Sequence, residues 1–282
     1  MKLALVYNPK SGSALTRSEL QKKCTAASIE VEEFIPINKG FKRKLVPHIK
    51  KAGTIAVIGG DGTISAIAGQ VANTKATLVP LPGGTLNHFT KDLGIPQDID
   101  KALKRLKKCR PHAVDIASVD DTFFINNSSM GLYPASLHDR EDIEPQTGKW
   151  PAAVIASLRA LVRFKTYHVT IDDHTFKTPF IFVGNNRYSL TSLGGTERSS
   201  LDEGILTVYA AKTQSRLRLL QIALFALIGK TKHLPDFDEF HPKSLTIKTK
   251  RAKLSVSHDG EVSKFTSPLT YQIHSRALKI LG

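Results

Sequence analysis

Cysteine is scarce in this sequence. Cys24 and Cys109 are the only cysteines among 282 residues, they lie far apart, and neither belongs to a CxxC pair. This scarcity excludes a disulfide framework and a cysteine zinc site, and it favours a reducing compartment such as the cytosol. Low-complexity segments and repeats of solenoid period are also absent, which excludes disordered and solenoid architectures. We therefore expect a globular, cytoplasmic protein.

Long apolar runs are absent as well. No stretch reaches the ~18 to 20 apolar residues that a membrane-spanning helix needs. The apolar run at residues 3–7 is too short for the hydrophobic region of a signal peptide and is typical of a buried strand. The sequence therefore predicts a soluble or peripheral protein.

Acidic residues are few beside the basic ones. Forty Lys and Arg against 25 Asp and Glu give a formal net charge of +15, which favours anionic partners. We expect no nucleic-acid partner, because the chain has no nucleic-acid-binding motif and no obvious aromatic stacking platform. Each cation near an anionic bilayer contributes about 1 kcal/mol, so we expect peripheral binding at the inner membrane face. The alternative, that the charge only maintains solubility, stays open.

The first third of the chain alternates strand and helix signals. Strands are predicted at residues 3–7, 29–35, 54–58 and 78–81, and helices at 16–27, 41–51 and 64–72. Short apolar strands between helices indicate a parallel sheet covered by helices.

From residue 113 onward the pattern becomes rich in strands. They are predicted at residues 113–119, 122–126, 168–171, 180–184, 204–211, 245–249 and 253–258, with helices at 151–165 and 215–230. Dense strands with short turns indicate an antiparallel sandwich. We therefore predict an α/β domain over residues 1–117 and a β-sandwich domain over 118–268.

Three glycine-bearing loops each follow an apolar strand. They are Asn8-Pro9-Lys10-Ser11-Gly12, Gly59-Gly60-Asp61-Gly62-Thr63 and Pro82-Gly83-Gly84-Thr85-Leu86-Asn87. Loops at the carboxyl ends of parallel strands converge on one crevice, where glycines let backbone amides approach an anion. Hydroxyl donors and one cation accompany them, namely Thr63, Ser65, Thr85 and Lys10. The chain has neither the P-loop pattern nor GxGxxG, so this predicted polyphosphate site is of another type. A carboxylate there, Asp61, is unfavourable unless a metal or a substrate hydroxyl needs it.

These three motifs, in this order, resemble the diacylglycerol kinase catalytic-domain family, and within it the soluble bacterial lipid kinases. The resemblance runs nearly end to end, through Gly184-Asn185-Asn186, Leu201-Asp202-Glu203-Gly204-Ile205-Leu206 and Asp259-Gly260-Glu261. GGDG alone is shared with NAD kinases and phosphofructokinases.

The resemblance implies an N-terminal α/β nucleotide-binding domain of the NAD kinase and diacylglycerol kinase type and a C-terminal β-sandwich lipid-binding domain. It also implies that residues 269–282 return to the first domain, and that ATP and lipid meet between the two. The residues it assigns to ATP are Asn8, Pro9, Lys10, Ser11, Gly12, Gly59, Gly60, Gly62, Thr63, Ile64, Ser65, Gly84 and Thr85.

The resemblance makes Glu261 the catalytic proton acceptor and implies a Mg²⁺ site formed by Glu203 with the backbone carbonyls of Ser200 and Ile205. Asp61 is the rival base, or the group that orders magnesium-bound water. Transfer of a phosphoryl group to an alcohol does need a carboxylate that takes the proton. Asp259 and Glu261 are expected on the same side of an extended segment, whereas a solvated hairpin turn is the alternative.

Two residues depart from the family pattern. Ala66 stands where relatives often have a carboxylate, and Glu203 stands where Asp is common. Both affect the expected metal affinity and rate more than the reaction class, because Mg²⁺ demands strict octahedral geometry.

The sequence thus predicts an ATP-dependent lipid kinase that acts on diacylglycerol. An apolar segment, bracketed by Arg216 and Arg218 before it and Lys230 and Lys232 after it, is a candidate for membrane contact. Three alternatives stay open: another lipid as acceptor, a soluble acceptor as in NAD kinases, and a binding regulator without catalysis. A homodimer is also left open.

Overall fold

The structure, a computed structural model, describes residues 1–9, 15–131, 166–171, 174–190, 196–198, 200–213, 215–227 and 237–282. They form two units. The first comprises Met1–Ile116, Phe123–Asn126 and His274–Gly282, and the second comprises Ala117–Thr122 and Asn127–Ile273 within these described ranges.

Buried apolar runs form the parallel strands of the first unit. These strands are β1 (Lys2–Tyr7), β2 (Glu30–Pro36), β3 (Thr54–Gly59) and β4 (Thr77–Pro82). They lie in the order β2-β1-β3-β4, and the last strand of the chain, β18 (Leu269–Leu281), runs parallel to β4 through the pair Ile280 and Leu78. The carboxyl ends of β3 and β4 are therefore neighbours, and the loops that follow them start side by side.

The helices of this unit are α1 (Arg17–Ala26), α2 (Phe41–Lys50), α3 (Asp61–Val71), α4 (His88–Asp92) and α5 (Ile99–Arg105), with a 3₁₀ turn at Leu106–Lys108. A reciprocal cap starts α1: the Glu19 N–H donates to Thr16 Oγ1 and the Thr16 N–H to Glu19 Oε2. Leu20 and Leu103 pack in one core against the strands. In α3 the buried residues recur at helical spacing, at Ile64, Ile67, Ala68 and Val71.

Antiparallel strands form the second unit. The described strands are β5 (Pro111–Val119), β6 (Thr122–Phe124), β7 (Asn127–Gly131), β8 (Tyr167–Ile171), β9 (His174–Thr178), β10 (Phe180–Asn185), β11 (Tyr188–Leu190), β12 (Thr196–Arg198), β13 (Leu206–Ala211), β14 (Phe237–Phe240), β15 (Ser244–Thr249), β16 (Lys253–His258) and β17 (Glu261–Thr266). Of these, β5 begins in the first unit and β6 ends in it. One sheet has the order β14-β13-β10-β7-β16-β17, and the other joins the start of β18 to β15, β8 and β9. The Ser128 and Tyr271 hydroxyls, 3.1 Å apart, connect the two sheets in the buried interior.

The last described helix, α6 (Arg216–Leu227), covers part of the six-stranded sheet. Its Leu219 and Ile222 pack with Ala211, Phe180 and Phe237. No helix in the described part of the chain is long and apolar enough to cross a membrane.

The predicted fold class, an α/β domain followed by a β-sandwich, is confirmed. Several element boundaries were wrong. The helix expected at 64–72 begins at Asp61, because Gly60 takes the extended cap conformation and the helix starts before its first apolar residue. The strand expected at 122–126 ends at Phe124, the separate strand β7 begins at Asn127, and neither α4 nor α5 was predicted. The helix expected at 151–165 lies outside the described residues.

Candidate active site

The loops after β3 and β4 are joined backbone to backbone. The Gly83 N–H donates to the Gly59 carbonyl at 3.0 Å. A β-carbon on Gly83 would lie 2.7 Å from the Gly59 nitrogen, and one on Gly59 would lie 2.5 Å from Thr63 Cγ2. Real β-carbons do not approach this closely, so both positions require glycine. The two loops form one surface made largely of backbone.

That surface includes the N-terminus of α3. Gly60, with φ −80° and ψ 179°, precedes the helix and has no side chain to cap it. The first N–H groups of a helix have no intrahelical partner and carry its positive end, which suits an anion. Gly60 and Gly62 belong to this turn, and Thr63 is half-buried beside them.

Two predicted nucleotide residues of α3 face elsewhere. Ile64 is fully buried, and its N–H donates to the Gly60 carbonyl. Ser65 is only 5% exposed, and its hydroxyl lies 3.5 Å from the Phe123 carbonyl. Helical geometry turns both side chains into the core. Both residues were predicted in a helix but assigned to ATP, and this burial does not support that assignment.

Asn87 shapes the loop after β4. Its Oδ1 accepts the Gly84 N–H at 2.9 Å and its Nδ2 donates to the Gly84 carbonyl at 3.0 Å. Asn87 is buried in a left-handed conformation with φ 53°. This closure leaves Thr85 and Leu86 exposed at the tip of the loop.

The Asp61 carboxylate is bound to the backbone of α4. Its Oδ2 accepts the His88 N–H at 3.0 Å, and its Oδ1 accepts the Phe89 N–H at 2.9 Å. The second and third glycine loops are thus tied together by a side chain as well as by backbone.

The first glycine loop is described only at its start. Asn8 is half-buried and Pro9 is exposed where they follow β1. Lys10, Ser11 and Gly12 lie outside the described residues, so their predicted contacts with ATP stay predictions.

Glu261 begins β17 in the second unit. It is exposed, and its cross-strand partner is His258. The turn between them, Asp259-Gly260, has φ 46° and 86°, both in the left-handed region typical of a two-residue hairpin. The expectation that Asp259 and Glu261 share one side of an extended segment was wrong, because this turn is not extended. Asp259 Oδ1 accepts the Asn127 N–H instead, at 3.2 Å.

His258 was not predicted as part of this region. Burial lowers the pKa of its imidazole, and the neighbouring Glu261 carboxylate opposes that shift. Its Nε2 lies 3.1 Å from the Ser263 hydroxyl. Only the hairpin register brings His258 beside Glu261.

Asn186 organises the loop that contains Glu203. Buried and left-handed with φ 68°, it accepts the N–H groups of Glu203 and Gly204 on Oδ1, each at 3.1 Å. Its own N–H donates to the Ile205 carbonyl at 2.9 Å. The sequence had singled out Asn186 within a family motif but gave no role for it.

The predicted magnesium ligands lie on this same loop. Among the described residues, no three His, Cys, Asp or Glu side chains cluster as a metal site. Arg187 Nε pairs with Glu203 Oε2 at 3.5 Å, so the carboxylate already has a cationic partner. Glu203 and the carbonyls of Ser200 and Ile205 are nevertheless oxygen donors, the type that Mg²⁺ accepts, and a carbonyl with one hydrogen bond retains a second lone pair. The donor types fit the ion.

Backbone-lined glycine loops on a parallel sheet, joined in one chain to a β-sandwich, define a two-domain protein whose α/β domain offers an anion a helix N-terminus. The Diacylglycerol kinase catalytic domain matches residues 2–119, and the YegS C-terminal NAD kinase beta sandwich-like domain matches residues 135–282. The chain belongs to the lipid kinase family that these two domains make up. The predicted family is confirmed.

Individual relatives agree with this membership. The chain is 26% identical over 274 residues to the Diacylglycerol kinase of Bacillus subtilis (strain 168). The aligned region covers 91% of this chain and 88% of that protein. A crystal structure of a diacylglycerol kinase from Bacillus anthracis str. Sterne superposes with a TM-score of 0.69 at 22% identity, over 99% of this chain and 96% of that one. That structural likeness shows the fold.

Proposed function

We propose that this protein is an ATP-dependent lipid kinase that transfers the γ-phosphoryl group to the hydroxyl of diacylglycerol. Its family consists of kinases, which implies ATP use, and relatives are named for lipid acceptors. The observation that carries the proposal is the pair of locked glycine loops at the N-terminus of α3. The residue before that helix, Gly60, offers its first amides no side-chain cap, and such a surface suits phosphate oxygens.

The proposed phosphate contacts come from backbone amides and two hydroxyls. Gly60 and Gly62 supply amides that a side chain would otherwise cover, whereas the Gly84 N–H is donated to Asn87 Oδ1 and Gly84 serves the shape of the loop. Thr63 is half-buried and Thr85 is exposed, so both can donate hydroxyl groups. Phosphoryl transfer depends mainly on positioning and charge stabilisation, which fixed backbone donors provide at little cost in reorganisation.

Glu261 is the proposed general base. Its carboxylate takes the proton from the lipid hydroxyl as that oxygen bonds to the γ-phosphorus and the bond from this phosphorus to the ADP oxygen breaks. Exposure at the start of β17 supports this role, because a lipid hydroxyl can approach a carboxylate at the surface.

Glu203 and the backbone carbonyls of Ser200 and Ile205 are the proposed Mg²⁺ ligands. The ion supplies positive charge and stiffens this loop when bound. Arg187 now neutralises Glu203, and it would have to turn aside for the carboxylate to bind metal.

The lipid acceptor implies work at a membrane surface, and α6 supports a peripheral contact there. Its Leu217 is 74% exposed and its Phe225 38% exposed. These residues and Gln221 recur every four positions and so share one side of the helix, whereas Leu219 and Ile222 pack into the protein. Two exposed apolar side chains on the helix that carries Arg218 suit an anionic headgroup layer. Lys230 and Lys232 lie outside the described residues.

ATP turnover across a lipid panel tests the proposal. The panel is diacylglycerol, a sphingoid base, phosphatidylglycerol and a polyprenol in mixed micelles, with NAD and glycerol as soluble acceptors. We expect turnover that rises with diacylglycerol and disappears when EDTA removes Mg²⁺. Turnover with NAD alone would make the protein a metabolite kinase. ATP binding without turnover on any acceptor would make it a binding regulator.

A further inference from the structure

Asp61 caps a helix to which it does not belong. It is the first residue of α3, yet both of its carboxylate oxygens accept N–H groups from the first two residues of α4, His88 and Phe89. Such N–H groups have no partner within their own helix, and a side-chain oxygen normally supplies one from the residue just before the helix.

The residue before α4 is used differently. The Asn87 side chain bonds to Gly84 instead. It makes no capping hydrogen bond to the described residues of α4. Asn87 therefore closes the loop, and Asp61 caps the helix that follows the loop. Loop closure and helix capping are thus performed by two residues, Asn87 on the third glycine loop and Asp61 on the second.

The loop between β4 and α4 is consequently fixed at three points. Gly83 bonds to Gly59 at its start, Asn87 closes it in the middle, and Asp61 holds its end. Thr85 lies at the exposed tip between these points. Of the three contacts, only Asp61 uses a charged group, and hydrogen bonds to charged groups are about twice as strong as neutral ones.

These contacts also explain why a carboxylate is tolerated beside a phosphate site. Two backbone N–H dipoles meet the charge on Asp61, and it lies in the first turn of α3, where a negative charge is stabilised. The dipoles of α3 and α4 therefore stabilise the charge on Asp61.

We propose that Asp61 is a positioning residue that holds the Thr85 loop in place for ATP, and that it neither accepts the hydroxyl proton nor binds magnesium. The effect on catalysis rests on the proposed function, whereas the effect on the loop does not. The two parts can therefore fail separately.

Asp61→Asn in the full chain tests the structural part. An amide offers one oxygen and turns an NH₂ group toward the second N–H donor, so at least one bond is lost. Hydrogen exchange of the α4 amides should accelerate by roughly 10-fold or more, the scale for losing a bond to a charged group. Mg-ATP affinity, measured by calorimetry without any lipid, should weaken by a similar factor. Unchanged exchange at His88 and Phe89 would overturn the proposal.

Asp61→Ser separates positioning from chemistry. Serine can accept one backbone N–H as a cap but can neither take the proton at neutral pH nor replace a carboxylate on magnesium. We expect it to restore part of the amide protection and part of the ATP affinity lost in Asp61→Asn. In both variants the KM for ATP should rise, while the acidic limb of the pH–rate profile and the Mg²⁺ requirement at saturating ATP stay unchanged. Loss of that limb, or a raised Mg²⁺ requirement, would assign Asp61 to the chemistry instead.

Asp98→Asn is the matched control. Asp98 caps α5 within its own helix by accepting the Lys101 N–H at 2.9 Å. Its loss should accelerate exchange at Lys101 and leave ATP affinity unchanged. Equal loss of ATP affinity in the Asp98 and Asp61 variants would mean that general destabilisation, and not the Thr85 loop, is responsible.

Discussion

Gly84 lies directly against Gly60: a β-carbon on Gly84 would approach the Gly60 α-carbon more closely than real β-carbons ever do. The reverse relationship is not symmetrical, because a β-carbon on Gly60 would lie 3.4 Å from the Gly84 α-carbon, an ordinary contact. Packing of the two loops therefore requires glycine at position 84 but not at position 60.

This asymmetry predicts different outcomes for two alanine substitutions. Gly84→Ala should separate the loops and lower the free energy of unfolding by about 1–3 kcal/mol, the range for overpacked sites. Gly60→Ala should leave stability nearly unchanged but weaken ATP binding, because its methyl group covers the first amides of α3. Thermal denaturation and ATP calorimetry on both variants measure this. Equal destabilisation by the two substitutions would contradict the packing argument.

Glu261→Gln should reduce turnover by roughly 10²- to 10⁴-fold, because glutamine keeps the shape of the side chain but cannot accept a proton. ATP affinity should hardly change, since the proposed phosphate contacts lie on the loops of the first unit. Single-turnover kinetics with diacylglycerol micelles measure the loss. Glu30→Gln, at an exposed residue paired with Lys2, is the surface control and should retain full turnover. Near-normal turnover in Glu261→Gln would remove Glu261 as the base.

The exposed side of α6 predicts binding to anionic vesicles. Replacing Leu217 and Phe225 together by Gln should weaken that binding at least tenfold, because burial of each large apolar side chain contributes about 1.5–3 kcal/mol. Sedimentation with phosphatidylglycerol vesicles measures it. Val46→Gln, at a 39% exposed residue of α2, is the matched control and should bind as the unaltered protein does. Equal loss in the control would show that α6 is not the docking surface.

The His258 imidazole should report on Glu261 directly. Burial lowers its pKa below the ordinary 6.5, and the Glu261 carboxylate raises it in part. The NMR titration midpoint of His258 should therefore fall further in Glu261→Gln. His274, whose pKa is lowered by burial, is the internal control and should not respond. An unchanged midpoint for His258 would mean that the two side chains do not interact.

The same depressed pKa sets the sign of a stability effect. The folded state resists protonation of His258 more than the unfolded chain does, so this stability contribution is complete above the unfolded pKa of about 6.5 and is lost as pH falls toward the folded value. We expect His258→Gln to reduce the fall in melting temperature between pH 7 and pH 5. A pH profile identical to that of the unaltered protein would contradict the assignment.

Much of the fold could be predicted because its signals are local. The apolar runs at β1 and β3 bury every central residue and are strands in any parallel sheet. The first residues of the helices were harder to predict from the sequence. The start of α3 depends on the extended conformation of Gly60, and α4 depends on a cap from Asp61, 27 residues earlier. Gly60 lies next to α3 but has no side chain that could mark a cap, and the cap of α4 lies far from that helix in sequence.

The four parallel strands of the first unit, the three glycine motifs and the family could be found in the sequence alone, because all of these depend on residue types and their spacing along the chain. Tertiary structure decided what the site residues do. It turned Ser65 and Ile64 inward, joined Asp61 to α4, paired Glu203 with Arg187 and set His258 beside Glu261. Each of these depends on helix phase, hairpin register or contact between distant segments. These contacts form only when the chain has packed, because most of them join segments that lie far apart in sequence.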